Sequence, residues 1–465
     1  MKNHHPLFNS CLLVCAAALC TPVAADGIEP LTNILNTSGS AGLGVAARAS
    51  TSPYLGGGTR YDLMPLYLYE GERLFLHANR AGVKLFSEGD RSEGQRFDLF
   101  VEQRFEGFPA ENLPASLAGM APRDSGIDLG LAYRLRQSWG TLRAEVVRDV
   151  GSASRGYEAR LGYGYEWRSG PWSLRPDVSL SWRDAKLNNY YYGVRANEAI
   201  AGRTAYTPGA GTQAQLGLYG SYEVSERWRL LAGVSTTLLG DSVKNSPIVQ
   251  KRVLPALYLG AAYDFGSHKR QWDEPTSPTY VKLLYGKATE DGCHLARIIT
   301  ARCLSTAKVN ATAISGIQVG KPFIEKLNGW PLDFAGYVGL THHDERSLQA
   351  NGLQLDVFMK AIYYGFPWSD HVKTRLGLGV GLSAAQRVPY TEVISQNGKT
   401  TSRLLNYLDP TIDVSVGDVL GVRSLKETFV GFGVSHRSGI FGASRLLGNV
   451  SGGSNYIYTY MESAF

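Results

Sequence analysis

The chain has 465 residues, 11 % of them aromatic, with 26 Tyr and 53 Gly, and a formal charge of only +6. The modest charge, spread without a basic cluster, excludes nucleic acid as a partner, and the Tyr and Gly content suggests many strands rather than a cytosolic enzyme. After residue 25 no apolar run reaches the roughly 18 residues of a membrane helix, so helical spans are excluded as well.

Residues 1–25 combine a weakly basic start, MKNHHPLFNS, a short apolar run, CLLVCAAALC, and a small-residue site, TPVAA. This is the pattern of an export signal cleaved after Ala25. The apolar run is about half the ~20 residues of a spanning helix, and Leu19 before Cys20 disfavours a lipoprotein site. Cleavage leaves Cys293 and Cys303 as the mature chain's cysteines. In an exported protein that spacing suggests one local disulfide; a metal site would need further ligands, and only His294 is close. No metal or cofactor is expected.

From residue 157 onward, Tyr157, Ala159, Leu161, Tyr163, Tyr165 and Trp167 alternate with Glu158, Arg160, Gly162, Gly164 and Glu166. A period of two is a strand with one greasy and one charged face. Trp228, Leu230, Ala232 and Val234 repeat the pattern, as do Leu332, Phe334, Val338 and Leu340. Such strands are long enough to cross a bilayer at a tilt, and only a closed barrel satisfies every backbone group in lipid. The fold class is therefore all-β, with antiparallel transmembrane barrels in a Gram-negative outer membrane. About twelve strand-like stretches lie between Gly42 and Phe265, and about eight between Thr279 and Tyr460.

The segment GSHKRQWDEPTSPTY, from Gly266 to Tyr280, mixes charges with two prolines and reads as a linker. Before it, YLGAAYDF (Tyr258 to Phe265) resembles the terminal signal of outer-membrane barrels, and SGGSNYIY (Ser451 to Tyr458) is a second copy. The expected organisation is a signal peptide (1–25), a first barrel (26–265), a linker (266–279) and an eight-stranded barrel (280–465). One large barrel is the alternative.

NYYYGVRANEAIAGRTAYTPGAG, residues 189–211, resembles the MipA/OmpV family of outer-membrane proteins through Tyr190, Tyr191, Tyr192, Gly193, Val194, Glu198, Tyr206, Pro208, Gly209 and Gly211. GLGVAARASTSPYLGG near the mature start adds to the likeness. The resemblance implies an envelope scaffold or binding role, with a murein synthase or hydrolase as a partner, and no catalytic residues. Read physically, Pro208 and the glycines shape a turn and the tyrosines anchor at a membrane interface. The second half looks like the lipid A 3-O-deacylase (PagL) family, an eight-stranded barrel with a His-x-Ser motif on its seventh strand. His436, Ser438, Gly439 and the Tyr456, Tyr458, Tyr460 ladder carry that likeness.

In VSHRSGIFG, residues 434–442, His436 and Ser438 share the phase of Val430, Phe432 and Val434. They should therefore face lipid, where polar groups are tolerated only near an interface. A barrel entered from the periplasm sends its seventh strand outward, which sets the pair in the outer leaflet and the two cysteines in the first external loop. Two residues apart on one strand face is the spacing an ester hydrolase needs, with Ser438 as nucleophile and His436 as general base. The family's third member is a carboxylate; here Ser454 holds the in-phase position, with Asn455 beside it. A catalytically inactive double barrel and a passive pore remain the alternatives. The expected partners are outer-membrane lipids, lipopolysaccharide and the barrel-assembly machinery. His342 and His343, followed by Asp344 and Glu345, read as a solvated turn.

Overall fold

The computed structural model describes residues 40–71, 73–89, 93–109, 112–151, 153–267, 278–290, 292–309, 311–396, 401–439, 450 and 452–465. The signal segment, most of the linker, Ile440 to Gly442 and Ser451 lie outside the described residues. Among the described residues no helix is long and apolar enough to cross a membrane; the strands do so.

The first barrel contains β1 (Ser40–Thr51), β2 (Thr59–Glu70), β3 (Leu74–His77), β4 (Arg80–Gly89), β5 (Gly94–Gln103), β6 (Ile127–Gln137) and β7 (Gly140–Asp149). It continues with β8 (Tyr157–Gly164), β9 (Trp167–Ser169), β10 (Trp172–Arg183), β11 (Gly211–Glu223), β12 (Trp228–Leu238) and β13 (Val253–Ser267). Because β8 and β9 pair successively with β10, they form one interrupted strand, which leaves twelve positions around the wall. The break falls at Tyr165 and Glu166, within the run that the sequence pattern reads as continuous. Closure comes from β13 against β1, so YLGAAYDF does end a barrel.

The second barrel is β14 (Tyr280–Ala288), β15 (Ala313–Ile324), β16 (Leu332–Asp344), β17 (Gly352–Tyr363), β18 (Thr374–Ala385), β19 (Leu404–Ser415), β20 (Thr428–Ser438) and β21 (Gly453–Ala464), closed by β14 on β21. In the first barrel the turns at the end where the first strand begins span two to four residues and, apart from the β3–β4 turn, those at the other end are longer, the arrangement of a periplasmic and an external face.

Alternation decides what fills each lumen. In the first, Arg80 lies 2.6 Å from Glu102 and 2.8 Å from Glu145, Arg104 bridges Asp128 and Glu158 at 2.6 Å each, and Arg183 reaches Glu106 at 2.7 Å. In the second, Lys360 meets Asp409 at 2.9 Å, and Arg375 meets Asp413 and Glu462 at 2.8 Å. An unpaired charge there costs several kcal/mol, so each cation is set against a carboxylate. Outward positions such as Leu161, Leu259, Leu283 and Phe432 are apolar and exposed, as lipid-facing side chains are.

At the external mouth of the first barrel its own loops pack on one another as a lid. The helix Ala185–Tyr192 begins at Asp184, whose carboxylate accepts from the Leu187 amide at 2.8 Å. It buries Leu187, Tyr191 and Tyr192 against Tyr54, Phe108, Leu117 and Val194. Arg123, pinned to Glu198 at 2.7 Å, locks the lid. The motif tyrosines are thus not membrane anchors: Tyr191 and Tyr192 form the lid's core, and Tyr190 and Tyr206 are partly buried against it.

The barrels touch along a seam. It rises across the second barrel from Phe323 and Phe334, whose rings pack at a tilt against Tyr69 and Phe265 with centroids 4.9 and 4.7 Å apart, to the outer end of β19. There the Tyr67 hydroxyl of the first barrel donates to the Asn406 side-chain oxygen. The β3–β4 turn stops opposite Tyr67, where the Ala78 amide reaches the Tyr67 carbonyl, well below the outer end of β2 at Thr59. Leu404 and Val450 pack with Ala78, Leu66 and Tyr67 in that notch.

Candidate active site

The seventh strand of the second barrel, β20, turns Phe429, Ser435 and Arg437 inward and Val430, Phe432, Val434, His436 and Ser438 outward, as its alternation requires. The inward set is held by Arg437, which lies 2.8 Å from Glu392 of the external helix Tyr390–Ser395. Burial pushes the Glu392 carboxyl above the usual carboxylate range, against the pull of Arg437 and of the Ser454 hydroxyl. On the outward face, register fixes every neighbour. Ser438 is flanked by Asn406 on β19 and Gly453 on β21, and His436 by Leu408 and Asn455.

The orienting group is Asn455. Its side-chain oxygen lies 2.7 Å from His436 Nδ1, and its amide nitrogen donates to the Cys293 carbonyl at 3.3 Å. The second bond fixes which end of the amide faces the ring, so Nδ1 carries the proton and Nε2 is left as the basic nitrogen. Ser454, the in-phase candidate from sequence, points into the lumen and donates to Glu392 at 2.9 Å. That expectation fails because the even-numbered positions of β21, the tyrosine ladder among them, face the lumen. Tyr456, Tyr458 and Tyr460 face inward instead, where their hydroxyls find Thr312, Asp409 and Asp413, as buried phenols require. The phase of β21 is therefore opposite to the one assumed.

Cys293 and Cys303 form a disulfide with Cα atoms 5.6 Å apart. It lies in the β14–β15 loop, and Cys293 packs with Ile298 and Val434, with Leu295, Cys303 and Ile457 against them. The first external loop is thus folded down over the lipid-facing wall beside His436. Neither His436 nor Ser438 is fully exposed, and among the described residues no hydrogen bond joins them. Their Cα atoms are roughly 6.6 Å apart at the usual strand rise.

His342 and His343 lie within β16 and not in a turn. His343 points into the lumen and contacts Gln354 at 2.8 Å, while His342 faces outward, so the two cannot act together. Sequence alone missed Asn406 and Tyr67, because the pairing of β19 with β20 and the contact between barrels leave no local signal.

Two closed barrels with apolar outer walls, paired charges inside and a polar pair at the outer rim define an outer-membrane protein. Residues 43–265 match the family described as MltA-interacting protein MipA. The putative outer membrane protein YiaT of Escherichia coli K12 is 24 % identical over 230 residues, 49 % of this chain and 92 % of that protein. The outer membrane protein Omp26La of Vibrio anguillarum is 33 % identical over 150 residues, 32 % of this chain and 58 % of that one. The MltA-interacting protein of Escherichia coli K12 is 24 % identical over 242 residues, 51 % and 95 % of the two chains. Among solved structures, an anion-selective porin from Comamonas acidovorans aligns over 92 % of this chain and 98 % of the porin at 10 % identity, with a TM-score of 0.21, too low to carry any argument. Over the residues of the first barrel the chain is thus similar to the MipA/OmpV family.

Proposed function

We propose that the second barrel is an ester hydrolase acting on an acyl chain of lipid A, tethered to a MipA/OmpV barrel that serves as an envelope scaffold. The observation that carries the hydrolase reading is the 2.7 Å contact of His436 Nδ1 with Asn455 on the lipid-facing wall, with Ser438 two residues on along the same face. A polar constellation there meets no soluble substrate. A membrane lipid of the outer leaflet brings its ester bond to that depth.

In the reaction, Ser438 Oγ attacks the ester carbonyl carbon as its proton passes to His436 Nε2. The tetrahedral intermediate collapses, and the departing sugar hydroxyl takes that proton from the imidazolium. Water, deprotonated by the same imidazole, then releases the fatty acid and restores Ser438. Asn455 holds the ring but brings no negative charge to the imidazolium, so turnover is expected to be slow compared with a carboxylate triad.

Mass spectrometry of lipid A from cells expressing the intact chain or its Ser438→Ala form tests this. Loss of one 3-hydroxyacyl chain with the first and not the second is expected, and full acylation with both would overturn it. The scaffold reading of the first barrel is supported by its packed lid and by the name of its relative, an MltA-interacting protein. Its test is co-purification of a murein hydrolase with the Ser438→Ala chain, which should be unchanged from wild type. The paired charges that fill both lumens speak against a passive pore.

A further inference from the structure

Hydrolysis at Ser438 needs a donor for the oxyanion that forms on the ester carbonyl. We infer that Asn406 Nδ2 is that donor, and that Tyr67 of the first barrel is the positioning residue that aims it; the inference rests on the hydrolase reading above.

Three observations converge. Asn406 and Ser438 are directly opposed on β19 and β20, so their side chains rise from the same lipid-facing surface with Cβ atoms roughly 4.5–5.5 Å apart. Asn406 is only 5 % exposed, and a buried amide of this kind is kept because it is hydrogen-bonded or in use. Its oxygen is taken by the Tyr67 hydroxyl. Among the described residues its nitrogen has no partner, leaving two N–H groups to donate.

The tyrosine does more than fill space. By holding the amide oxygen on the side of the first barrel, it turns the nitrogen away from the seam. The other flank of Ser438 is Gly453, where a Cβ would stand 1.5 Å from the Arg437 carbonyl oxygen. That flank therefore carries no side chain, and Asn406 is the polar side chain directly opposite Ser438. As the ester carbonyl becomes tetrahedral, its oxygen gains negative charge and lengthens away from carbon. A donor beside Ser438 meets that charge only in the transition state, so it acts on kcat more than on KM. The two barrels are then one catalytic unit, since the donor stands on the second and its orienter on the first.

The test uses the full chain in detergent micelles with lipopolysaccharide as substrate, reading fatty-acid release. Asn406→Ala should lower kcat by roughly 100- to 1000-fold with little change in KM. Asn406→Asp, which keeps the shape and loses the donor, should be as slow. Tyr67→Phe should lower kcat by roughly tenfold, since the amide remains but turns freely. If Asn406 merely fastens the seam, Asn406→Ala and Tyr67→Phe will slow the reaction equally, because each removes the same bond, and that result overturns the inference. Asn406 variants retaining half the wild-type kcat overturn it too and leave the hydrolase reading standing. An inactive wild type, with Ser438→Ala indistinguishable from it, removes both.

Discussion

Replacing Asn455 by alanine isolates the contribution of the orienting amide. In the resting site His436 Nδ1 lies 2.7 Å from the Asn455 oxygen. In the proposed reaction the ring becomes a cation as Ser438 loses its proton, and a hydrogen bond to a charged group contributes about 1.5–3 kcal/mol. At about 1.4 kcal/mol per tenfold, losing that bond slows the chemical step roughly 10- to 150-fold. The freed imidazole also samples both tautomers, which keeps the effect toward the upper end. Alanine further removes the 3.3 Å bond to the Cys293 carbonyl, at a stability cost of about 1 kcal/mol, so the thermal midpoint must be measured beside the rate. Asn455→Asp restores an acceptor for Nδ1 while setting a carboxylate against that carbonyl, and it should fall between wild type and alanine. The assay is a time course of 3-hydroxy fatty acid release from lipopolysaccharide at saturating substrate. A rate for Asn455→Ala within twofold of wild type, with Ser438→Ala inactive, would mean that the imidazole works without an orienter and would refute the constellation as drawn.

Two further outcomes concern the barrels themselves. Asp409 neutralises Lys360 at 2.9 Å and Lys282 at 3.5 Å, and Lys282 is fully buried. Asp409→Asn leaves Lys360 facing a neutral amide and Lys282 with Glu462 at 3.9 Å, and stability should fall by about 3–5 kcal/mol, read as a lower temperature for the heat-induced shift in gel migration. An unchanged temperature would show that the lumen admits enough water to screen them. In the lid, Glu198 gains from burial a tendency to rise, yet bonds from Arg123 and from the Arg195 and Ala121 amides hold it down, to about 2. A carboxylate depressed in the folded state stabilises above its unfolded value and loses that contribution as pH falls toward the folded one. The lid should therefore resist acid down to about pH 4 and loosen between about 4 and 2. Limited proteolysis with an acid-active protease should show cleavage near residues 190–206 rising across that window and already high in Glu198→Ala; a flat profile would contradict the sign.

Much of this protein was legible in its residue order. Strict alternation at Trp228 to Val234 and in β20 told which side chains meet lipid, because a pleated strand offers no third direction. The signal YLGAAYDF in mid-chain showed that one barrel ends there, and His436 and Ser438 emerged on one outward face. Long-range pairing decided the rest. Whether Ser454 or Asn455 faces His436 depends on the phase of β21, and that phase follows from which of its residues find partners inside. The tyrosine ladder turned inward because its hydroxyls bond buried carboxylates on β19, a fact no local hydropathy contains. Asn406 beside Ser438 is a matter of register between strands, and Tyr67 reaches it across a boundary more than 300 residues away in sequence. Period and composition set the inside and outside of each wall; the partners of individual polar atoms exist only once the walls have closed and come together.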